Sequence, residues 1–517
     1  MQRVGKKLAC LLVFIMLFTV IGCGGGGSES GDKSSDKPAD VVTKDADVVV
    51  IGAGTSGMTA AIEAASEGAK VILLEKQGKV GGSSRFAEGV FGAESPLQKE
   101  LGITISKKET LRKEMEFHNY RVSGPQWKAL IDASGNNIQW LLDMGVKFAM
   151  VSSPGAGEKT WHVYDGFGDA LFDEYLLPKA EELGVELMVN TPGKELIMED
   201  GRVVGVKATT ADNKELVINT KAAIIATGGF SDDPELVAEL TTDDMTQVVN
   251  GGTPGHTGDG IKMARAVGAA SNGWAIFSKI GLTLEKYSVH SHINSAAAME
   301  PSLWVNKFGE RYVNEDVIFH YTRAANAVGT QPTTYSVIDS NLLNKMVNEG
   351  CYNGFGAYVL PGTKLVDLPA ELEKALERKD VNVFKADTLE ELADKLGVDK
   401  DTFLATIDRY NEFCANGEDM DYSKESKYLN EVKTGPFYAF HIKVLNLNSM
   451  GGIRVNIKNE VLDEEYQPIK GLYAAGMDCD GYTGDTYGLT IPGSCQGIAL
   501  FTGRNSAVHA VEYTKTI

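Results

Sequence analysis

Glycines 52, 54 and 57, in the run Gly52-Ala53-Gly54-Thr55-Ser56-Gly57, have the spacing that most clearly predicts chemistry. A turn of this kind lets backbone N–H groups at a helix N-terminus approach a pyrophosphate. Gly52 permits the tight turn, Gly54 the close approach of the anion, and Gly57 the close packing of helix on strand. Glu75 follows at the distance where an acidic residue accepts hydrogen bonds from ribose hydroxyls. These residues predict a dinucleotide site.

The elements around this turn have the pattern that the motif requires. Residues 47–51 form a short β-branched run, typical of a strand buried on both faces of a parallel sheet. Residues 58–67 are alanine-rich with apolar positions at helical spacing, and Gly68 follows as a helix C-cap. Residues 71–74 form a second strand that ends in Glu75. The order strand, turn, helix, strand predicts a βαβ unit of an α/β fold.

Three later segments decide between FAD and NAD as the dinucleotide. Gly81-Gly82-Ser83-Ser84 resembles the second FAD-contacting segment of glutathione-reductase-type flavoproteins. Residues 222–227 form a strand that runs into Gly228-Gly229, like the ATGG segment of the same superfamily. Residues 471–476 resemble the segment in which a strand end meets the ribityl chain. Four segments in the expected order favour FAD.

From Asp47 to its final helix the chain resembles the flavocytochrome c and fumarate reductase flavoprotein family. Further matches are residues 256–260, residues 309–315, Met450-Gly451-Gly452 and Gly503-Arg504. The resemblance implies an α/β fold: a Rossmann-like FAD-binding domain of the glutathione-reductase type with an inserted α+β capping domain. It assigns residues 45–276 and 449–517 to the FAD-binding domain and residues 277–448 to the cap.

The resemblance also implies which residues hold FAD. We expect non-covalent binding, because no histidine lies in the second segment around Ser83. In this family, reduced flavin delivers a hydride from N5 to an activated C=C bond while a protein acid protonates the neighbouring carbon. The expected cofactor-binding residues are Gly52, Gly54, Thr55, Ser56, Gly57, Glu75, Lys76, Gly81, Gly82, Ser83, Ser84, Thr227, Gly228, Gly229, Asp259, Met450, Gly451, Gly476, Met477, Gly493, Ser494 and Cys495.

The sequence departs from fumarate reductases at the groups that bind a dianion and deliver a proton. Asn448 stands where the family has a substrate-clamping histidine. Residues 490–494 lack the family's carboxylate-binding arginine, and residues 295–299 cannot carry protons. We therefore expect a substrate less anionic than fumarate, with one carboxylate or a carbonyl group.

Aromatic and neutral side chains stand in place of the missing groups, and any one of them alone could be an ordinary core or surface residue. Tyr487 precedes the helix that should point at the flavin, and it is similar to the tyrosine that polarises a ketone in ketosteroid dehydrogenases of the same superfamily. The residues expected to act in catalysis are His320, Tyr321, Arg323 and Tyr487. Those expected to bind substrate are His290, His292 and Asn448.

The first residues predict export. Arg3, Lys6 and Lys7 precede an apolar run at residues 8–21, which is short for a membrane span. Residues 20–23 resemble the lipobox of bacterial lipoproteins, and a plain secretory signal is the alternative. We expect a signal peptide at residues 1–22, a lipid on Cys23 and a flexible tether at residues 23–44. The protein would then be extracytoplasmic and anchored to the bacterial cell membrane.

Composition bears on the partners. The 517 residues carry a formal net charge of −20, which argues against nucleic acid. The remaining cysteines, at positions 351, 414, 479 and 495, are scattered, so no metal site, haem or iron–sulfur cluster is predicted. Electrons must then arrive from a separate membrane, flavin or haem donor.

The leading hypothesis is a reductase of an α,β-unsaturated acid or carbonyl compound, used in anaerobic respiration and not specific for fumarate. Two alternatives stay open. One is a flavin-dependent ketone or ketosteroid-type dehydrogenase, and the other is a lipoprotein that only carries electrons.

Overall fold

The computed structural model describes residues 41–153, 157–273 and 275–517. The predicted signal peptide, Cys23 and most of the predicted tether lie outside the described residues. Within the described ranges, none of the helices combines the length and the apolar character needed to cross a bilayer. The end of the predicted tether, from Val42, forms the first strand because its backbone pairs with a strand of the large sheet.

The described residues form nineteen strands and fifteen α-helices. The strands are β1 (Val42–Asp45), β2 (Val48–Ile51), β3 (Val71–Leu74), β4 (Gly89–Phe91), β5 (Phe148–Ser152), β6 (Trp161–Tyr164), β7 (Glu186–Met188), β8 (Gly193–Glu199), β9 (Arg202–Thr209), β10 (Glu215–Asn219), β11 (Ala222–Ile225), β12 (Val248–Asn250), β13 (Ile276–Leu284), β14 (Leu303–Asn306), β15 (Thr334–Ile338), β16 (Val383–Ala386), β17 (Phe437–Met450), β18 (Glu460–Leu462) and β19 (Pro468–Ala474). The helices are α1 (Thr55–Ser66), α2 (Pro96–Glu100), α3 (Lys107–Phe117), α4 (Gly124–Asp143), α5 (Phe167–Ala170), α6 (Leu177–Glu182), α7 (Pro234–Leu240), α8 (Asp259–Ala266), α9 (His292–Ala298), α10 (Tyr321–Gly329), α11 (Ser340–Asn348), α12 (Leu368–Glu377), α13 (Leu389–Leu396), α14 (Lys400–Asn416) and α15 (Ser494–Thr514).

A ten-stranded sheet carries the glycine-rich segments. Five of its strands lie side by side in the order β19-β11-β2-β3-β7, and all four of these pairings are parallel. β2, β3 and β11 are aliphatic and buried at every position, as expected for strands covered on both faces. Because the carboxyl ends of parallel strands meet at one edge, Gly52, Thr227 and Gly476 are brought together there.

Helix α1 packs on the turn that precedes it, and α15 packs on α1, at distances that only glycine allows. A Cβ on Gly57 would lie 1.7 Å from the carbonyl oxygen of Gly52, and one on Gly503 would lie 2.3 Å from that of Ser56. Arg504 then reaches across the two helices, with its Nε 2.9 Å from Glu63 Oε2. The predicted helix after the glycine turn is confirmed, and it begins earlier than expected, at Thr55.

A separate six-stranded sheet is ordered β12-β17-β15-β14, with β13 and β16 also paired to β17. Strands β13 to β17, which lie almost wholly within residues 277–448, make up most of this sheet, and Val248–Asn250, from before residue 277, joins them. Beyond β16 the chain forms α13 (Leu389–Leu396) and α14 (Lys400–Asn416). The two are separate because Gly397 adopts a left-handed conformation, with φ 67°, and ends α13.

A buried ionic network braces the six-stranded sheet. Arg311 Nη2 lies 2.7 Å from Glu315 Oε2 and 2.8 Å from Asp419 Oδ2, and Lys424 Nζ lies 3.2 Å from the same Glu315 oxygen. At most 5% of any of these four side chains is exposed. Burial opposes ionisation of Asp419, yet the hydrogen bonds from Arg311 hold its pKa well below the ordinary value. The network joins β14 to the loop after α14.

We expect Arg311→Ala to lower the free energy of unfolding by about 3–5 kcal/mol, because it leaves buried carboxylates without their cation. Arg409→Ala is the matched control, since it removes the exposed pair with Asp421 and should cost at most about 1 kcal/mol. Urea denaturation followed by circular dichroism measures both. Equal losses in the two variants would show that the buried network is not a stabilising feature.

Candidate active site

The N-terminus of α1 is open to an anion. Its N-cap, Gly54, provides no side-chain cap, and the first turn contains no acidic residue. Ser84 Oγ accepts a hydrogen bond of 3.3 Å from Thr55 N, so the second glycine-rich segment lies against the first. A cavity of about 80 Å³ opens at this point. Backbone donors at a helix N-terminus without a nearby acid match a pyrophosphate.

Glu75 and Lys76 line this cavity next to the end of β3. Glu75 Oε2 accepts from Ala53 N at 2.9 Å, and its Oε1 accepts from Gln77 N at 2.7 Å. A carboxylate offers further acceptor positions on both oxygens, so Glu75 can still accept from a ribose. Lys76 Nζ lies 2.7 Å from Asp259 Oδ2. Burial opposes ionisation of Asp259, and the bond from Lys76 outweighs it and lowers its pKa.

Ser83 binds the second glycine-rich segment to the loop of residues 253–256, whose last residue begins one of the family matches. Its Oγ lies 3.0 Å from His256 Nε2 and accepts from Thr253 N at 3.0 Å. His256 Nδ1 in turn lies 2.8 Å from the carbonyl oxygen of Gly228. Three glycine-rich segments therefore share one hydrogen-bonded cluster beneath the cavity.

Asp478 is a buried carboxylate that was not among the residues predicted from the sequence. Its oxygens accept from Thr227 N at 2.5 Å, Gly228 N at 3.2 Å and Gly229 N at 3.0 Å. Burial raises the pKa of Asp478, and these hydrogen bonds oppose the rise. The amides of the segment after β11 are thus bound to Asp478. The signal for it was an acidic residue directly after the Gly476-Met477 pair.

Most of the expected cofactor-binding residues lie around the cavities. Thirteen of them line the cavity at the N-terminus of α1, and Asp259 lines a smaller cavity beside it. Gly493 and Cys495 line the larger cavity described next. The expected residues that line none of the three are Gly57, Gly229, Met450, Gly451, Gly476 and Ser494. These six serve packing or backbone contacts, such as the 2.9 Å bond from Gly451 N to Met477 O.

A second cavity, of about 480 Å³, adjoins the first. Ser83, Ser84 and Asn448 line both, so the two form connected parts of one site. Seven phenylalanine, tyrosine and tryptophan side chains line it, the other lining residues are mainly aliphatic or small, and among the described residues it contains no arginine. Its volume is typical of a small-molecule site. Besides the expected tyrosines, the aromatic lining residues are Phe86, Trp161, Tyr287, Phe355 and Tyr358.

Tyr321 and Tyr487, two of the four expected catalytic residues, line this larger cavity. The phenol oxygen of Tyr487 accepts a hydrogen bond of 3.3 Å from Cys495 N, in the first turn of α15. The Tyr321 hydroxyl donates to Gly354 O at 3.4 Å. Burial raises the pKa of both phenols above the ordinary value. Both tyrosines therefore stay protonated at neutral pH.

The structure separates the other expected residues. His290 lines the larger cavity and stacks on Tyr358, with ring centroids 3.6 Å apart, and burial lowers its pKa. His292 is absent from the cavity wall, because its Nδ1 accepts from Asp367 N at 2.9 Å. His320 and Arg323 border a side pocket of about 10 Å³. Neither lines the larger cavity, although Tyr321 and Leu489 line both, and the Arg323 guanidinium lies 5.2 Å from the ring centroid of Phe117.

Asn448 lies at the junction of the two cavities. The Ser278 hydroxyl donates a hydrogen bond to Asn448 Oδ1 in the side chain. The same oxygen of Ser278 accepts a hydrogen bond of 3.3 Å from the backbone N of Asn448. An uncharged amide in this place binds no carboxylate as an ion pair. Glu88, which the sequence analysis missed, also lines the larger cavity. No motif surrounds it, so nothing in the sequence singled it out.

A family model described as an FAD binding domain matches residues 47–488. The chain belongs to this family. A vinyl phenol reductase of Lactiplantibacillus plantarum is 42% identical over 476 residues, covering 90% of this chain and 97% of the relative. A cytochrome-type fumarate reductase of Shewanella frigidimarina is 27% identical over 477 residues, covering 91% and 77%.

The fold is that of a solved relative. The structure of the open conformation of a flavocytochrome c3 fumarate reductase superposes with a TM-score of 0.69 at 23% identity, covering 91% of this chain and 79% of that one. The predicted fold class and family resemblance are therefore confirmed. The protein is an FAD-dependent oxidoreductase that acts on CH–CH groups.

FAD fits the residues present. The uncapped N-terminus of α1 suits its pyrophosphate, and Glu75 suits its ribose. Ser83, Ser84 and Asn448 lie where the two cavities meet and would hold the ring end of the cofactor. When bound, FAD supplies the hydride for the C=C bond. Tyr321 and Tyr487, both protonated at neutral pH, lie on the wall of the adjoining larger cavity.

Asp478→Asn should loosen the FAD site. The change keeps the size of the side chain but turns an NH₂ group towards backbone N–H donors, and we expect a loss of about 2–3 kcal/mol in the free energy of unfolding. FAD content, measured as the ratio of flavin to protein absorbance, should fall as well. Asp408→Asn, an exposed change on α14, is the control. Unchanged FAD content and stability in Asp478→Asn would contradict this role.

Proposed function

We propose that this protein is an extracytoplasmic FAD-dependent reductase of the C=C bond in an uncharged aromatic vinyl compound of the vinyl phenol class. The observation that carries the proposal is the wall of the larger cavity, which contains seven phenylalanine, tyrosine and tryptophan side chains and, over the described residues, no arginine. Aromatic walls bind a flat ring through area burial and offset stacking. Among the described residues that line the cavity, Lys286 is the only ordinary cation and Glu88 carries the opposite charge, so a dicarboxylate would lose its water with little gain in return.

The comparisons favour the same class of substrate. The relative that is 42% identical is named a vinyl phenol reductase, whereas the fumarate reductase is 27% identical. Asn448 and the cavity tyrosines supply hydrogen bonds without charge. We infer that the single carboxylate or carbonyl expected from the sequence is replaced by an aromatic ring.

Within this proposal Tyr487 is the favoured proton donor. It lines the cavity beside the first turn of α15, and a hydrogen bond from Cys495 N would stabilise the phenolate that forms when Tyr487 gives up its proton. Tyr321 is the second candidate, since its hydroxyl lies on the same cavity wall. We further propose that electrons come from a separate donor at the cell membrane, where the lipid on Cys23 would hold the protein, and that the reaction serves anaerobic respiration.

We expect FAD-loaded protein to oxidise reduced methyl viologen anaerobically when 4-vinylphenol is added. The rate with fumarate should be at least about a hundredfold lower, because the cavity offers a dianion no arginine. Viologen absorbance follows both reactions. Failure of 4-vinylphenol and of every other vinyl aromatic compound to oxidise viologen would overturn the proposal.

Two variants separate the alternatives. Tyr487→Phe should lose turnover of 4-vinylphenol by about a hundredfold or more, which is the size of a general-acid contribution. Tyr466→Phe, at an exposed phenol, is the control. An electron carrier would transfer electrons equally well with either change. A dehydrogenase would instead reduce an electron-accepting dye when given 4-ethylphenol, faster than it reduces the vinyl compound.

The proposed location predicts the effect of changing Cys23. Cys23→Ala should move the protein from the membrane fraction to the soluble extracytoplasmic fraction, since the anchor depends on the thiol of that residue. Cys10→Ala, within the predicted signal peptide, should leave the protein at the membrane. Immunoblots of fractionated cells measure both. Membrane retention of Cys23→Ala would rule out the lipid anchor.

A further inference from the structure

Glu88 places a carboxylate on the wall of the larger cavity, directly before β4. Among the described residues that line this cavity, only Glu88 and Lys286 carry a side chain that is ordinarily charged at neutral pH. Glu88 contributes nothing to the cradle around the FAD pyrophosphate, since it lines only the aromatic cavity. Glu88 therefore belongs to the substrate side of the site and not to the cofactor side.

The carboxylate faces a loop of the six-stranded half of the molecule. Glu88 Oε2 accepts a hydrogen bond from Ala357 N. Gly356 packs so close that a Cβ there would fall 2.3 Å from Glu88 Oε1. Tyr358, the next residue of that loop, stacks on His290 and packs on Phe167, with ring centroids 4.7 Å apart in the second pair. A carboxylate and stacked aromatic rings thus share one part of the wall.

This carboxylate has room for one more donor. Burial raises the pKa of Glu88 to about 7, and the hydrogen bond from Ala357 opposes the rise. The two oxygens of a carboxylate have about four acceptor positions in all, of which the amide of Ala357 takes one. A hydroxyl donor from a ligand would form a short, charge-assisted bond here, whereas an anionic ligand would be repelled.

We propose that Glu88 recognises the phenol hydroxyl of the substrate, accepting its hydrogen bond and thereby selecting hydroxylated rings over their ethers and over rings that carry a carboxylate. This inference rests on the proposed function and adds the residue that sets its specificity. A phenol suits the position because its hydroxyl, with a pKa of about 10, remains a donor at neutral pH. Its ring would lie against the aromatic wall formed by Tyr358 and its neighbours.

The test compares two ligands that differ by one donor. 4-Ethylphenol and its methyl ether, 4-ethylanisole, are titrated into the oxidised FAD-loaded protein, and the change in flavin absorbance gives each Kd. We expect the wild type to bind the phenol about ten- to a hundredfold more tightly than the ether, as for a hydrogen bond to a charged group. In Glu88→Leu this ratio should fall to about one.

Glu88→Gln keeps the size of the side chain and an acceptor for Ala357 N, so it serves if the leucine variant does not fold. Its ratio should lie between those of the wild type and Glu88→Leu. Glu349→Gln, an exposed change on the same six-stranded half, is the control and should keep the wild-type ratio. If Glu88 serves only the contact with Ala357, both ligands should weaken equally, and that result would overturn the inference.

The pH dependence provides a second readout. The ionised carboxylate accepts a stronger, charge-assisted hydrogen bond from the phenol than the protonated carboxyl group does, so the preference for phenol over ether should shrink as the pH falls below about 7, and it should not change in Glu88→Gln. The other titratable groups on the cavity wall are Tyr287, His290, Tyr321, Tyr358, Tyr487 and Cys495, together with Lys286. Burial raises the pKa values of the phenols and of the Cys495 thiol and lowers that of His290, so none of these shifted groups explains a transition near pH 7.

Failure of the inference can be told from failure of the proposed function. If 4-vinylphenol is reduced but the ratio of the two Kd values is the same in wild type and Glu88→Leu, only the role of Glu88 is wrong. If neither ligand perturbs the flavin and no vinyl aromatic compound is reduced, the substrate class itself is wrong.

Discussion

The placement of two buried carboxylates is the constraint on which the rest of the cofactor site depends. Asp478 binds the three amides that follow β11, and Asp480, two residues further, accepts from Gly452 N at 2.5 Å and Asn272 N at 2.6 Å. Each carboxylate is stabilised mainly by backbone donors, which makes its geometry depend on the direction of whole segments. One short stretch after β19 thereby fixes the ends of β11, β13 and β17 relative to one another.

Much of the FAD-binding half could be predicted from the sequence, and the reason is physical. Strands such as β2 and β3 are buried on both faces, so they read as uninterrupted aliphatic runs. Glycine is required where Gly57 meets the backbone of Gly52, so the motif cannot be replaced by other residue types. Local chemistry of this kind is visible in a window of a few residues.

The substrate side could be predicted only in part, because its residues come together through tertiary contacts. His290 and His292 are two positions apart, yet one lines the cavity and the other binds the loop at Asp367. His320 and Arg323 likewise flank Tyr321 in sequence but border a different pocket. Glu88 escaped notice for the converse reason, since its significance depends on Ala357, far along the chain.

The pairing of β13 with β17 has a mechanical consequence. The two strands form one antiparallel ribbon, which runs from the pair Leu284 and Ile442 to the pair Ile276 and Met450. Directly after this end of the ribbon, Gly451 N donates a hydrogen bond to Met477 O. The register of the ribbon shifts only between Phe277 and Gly281. A β-bulge interrupts the ladder locally and bends the strand at that point. A change in the width of the aromatic cavity would therefore bend the ribbon between Phe277 and Gly281, and the regular pairing on either side would favour its return to the starting geometry.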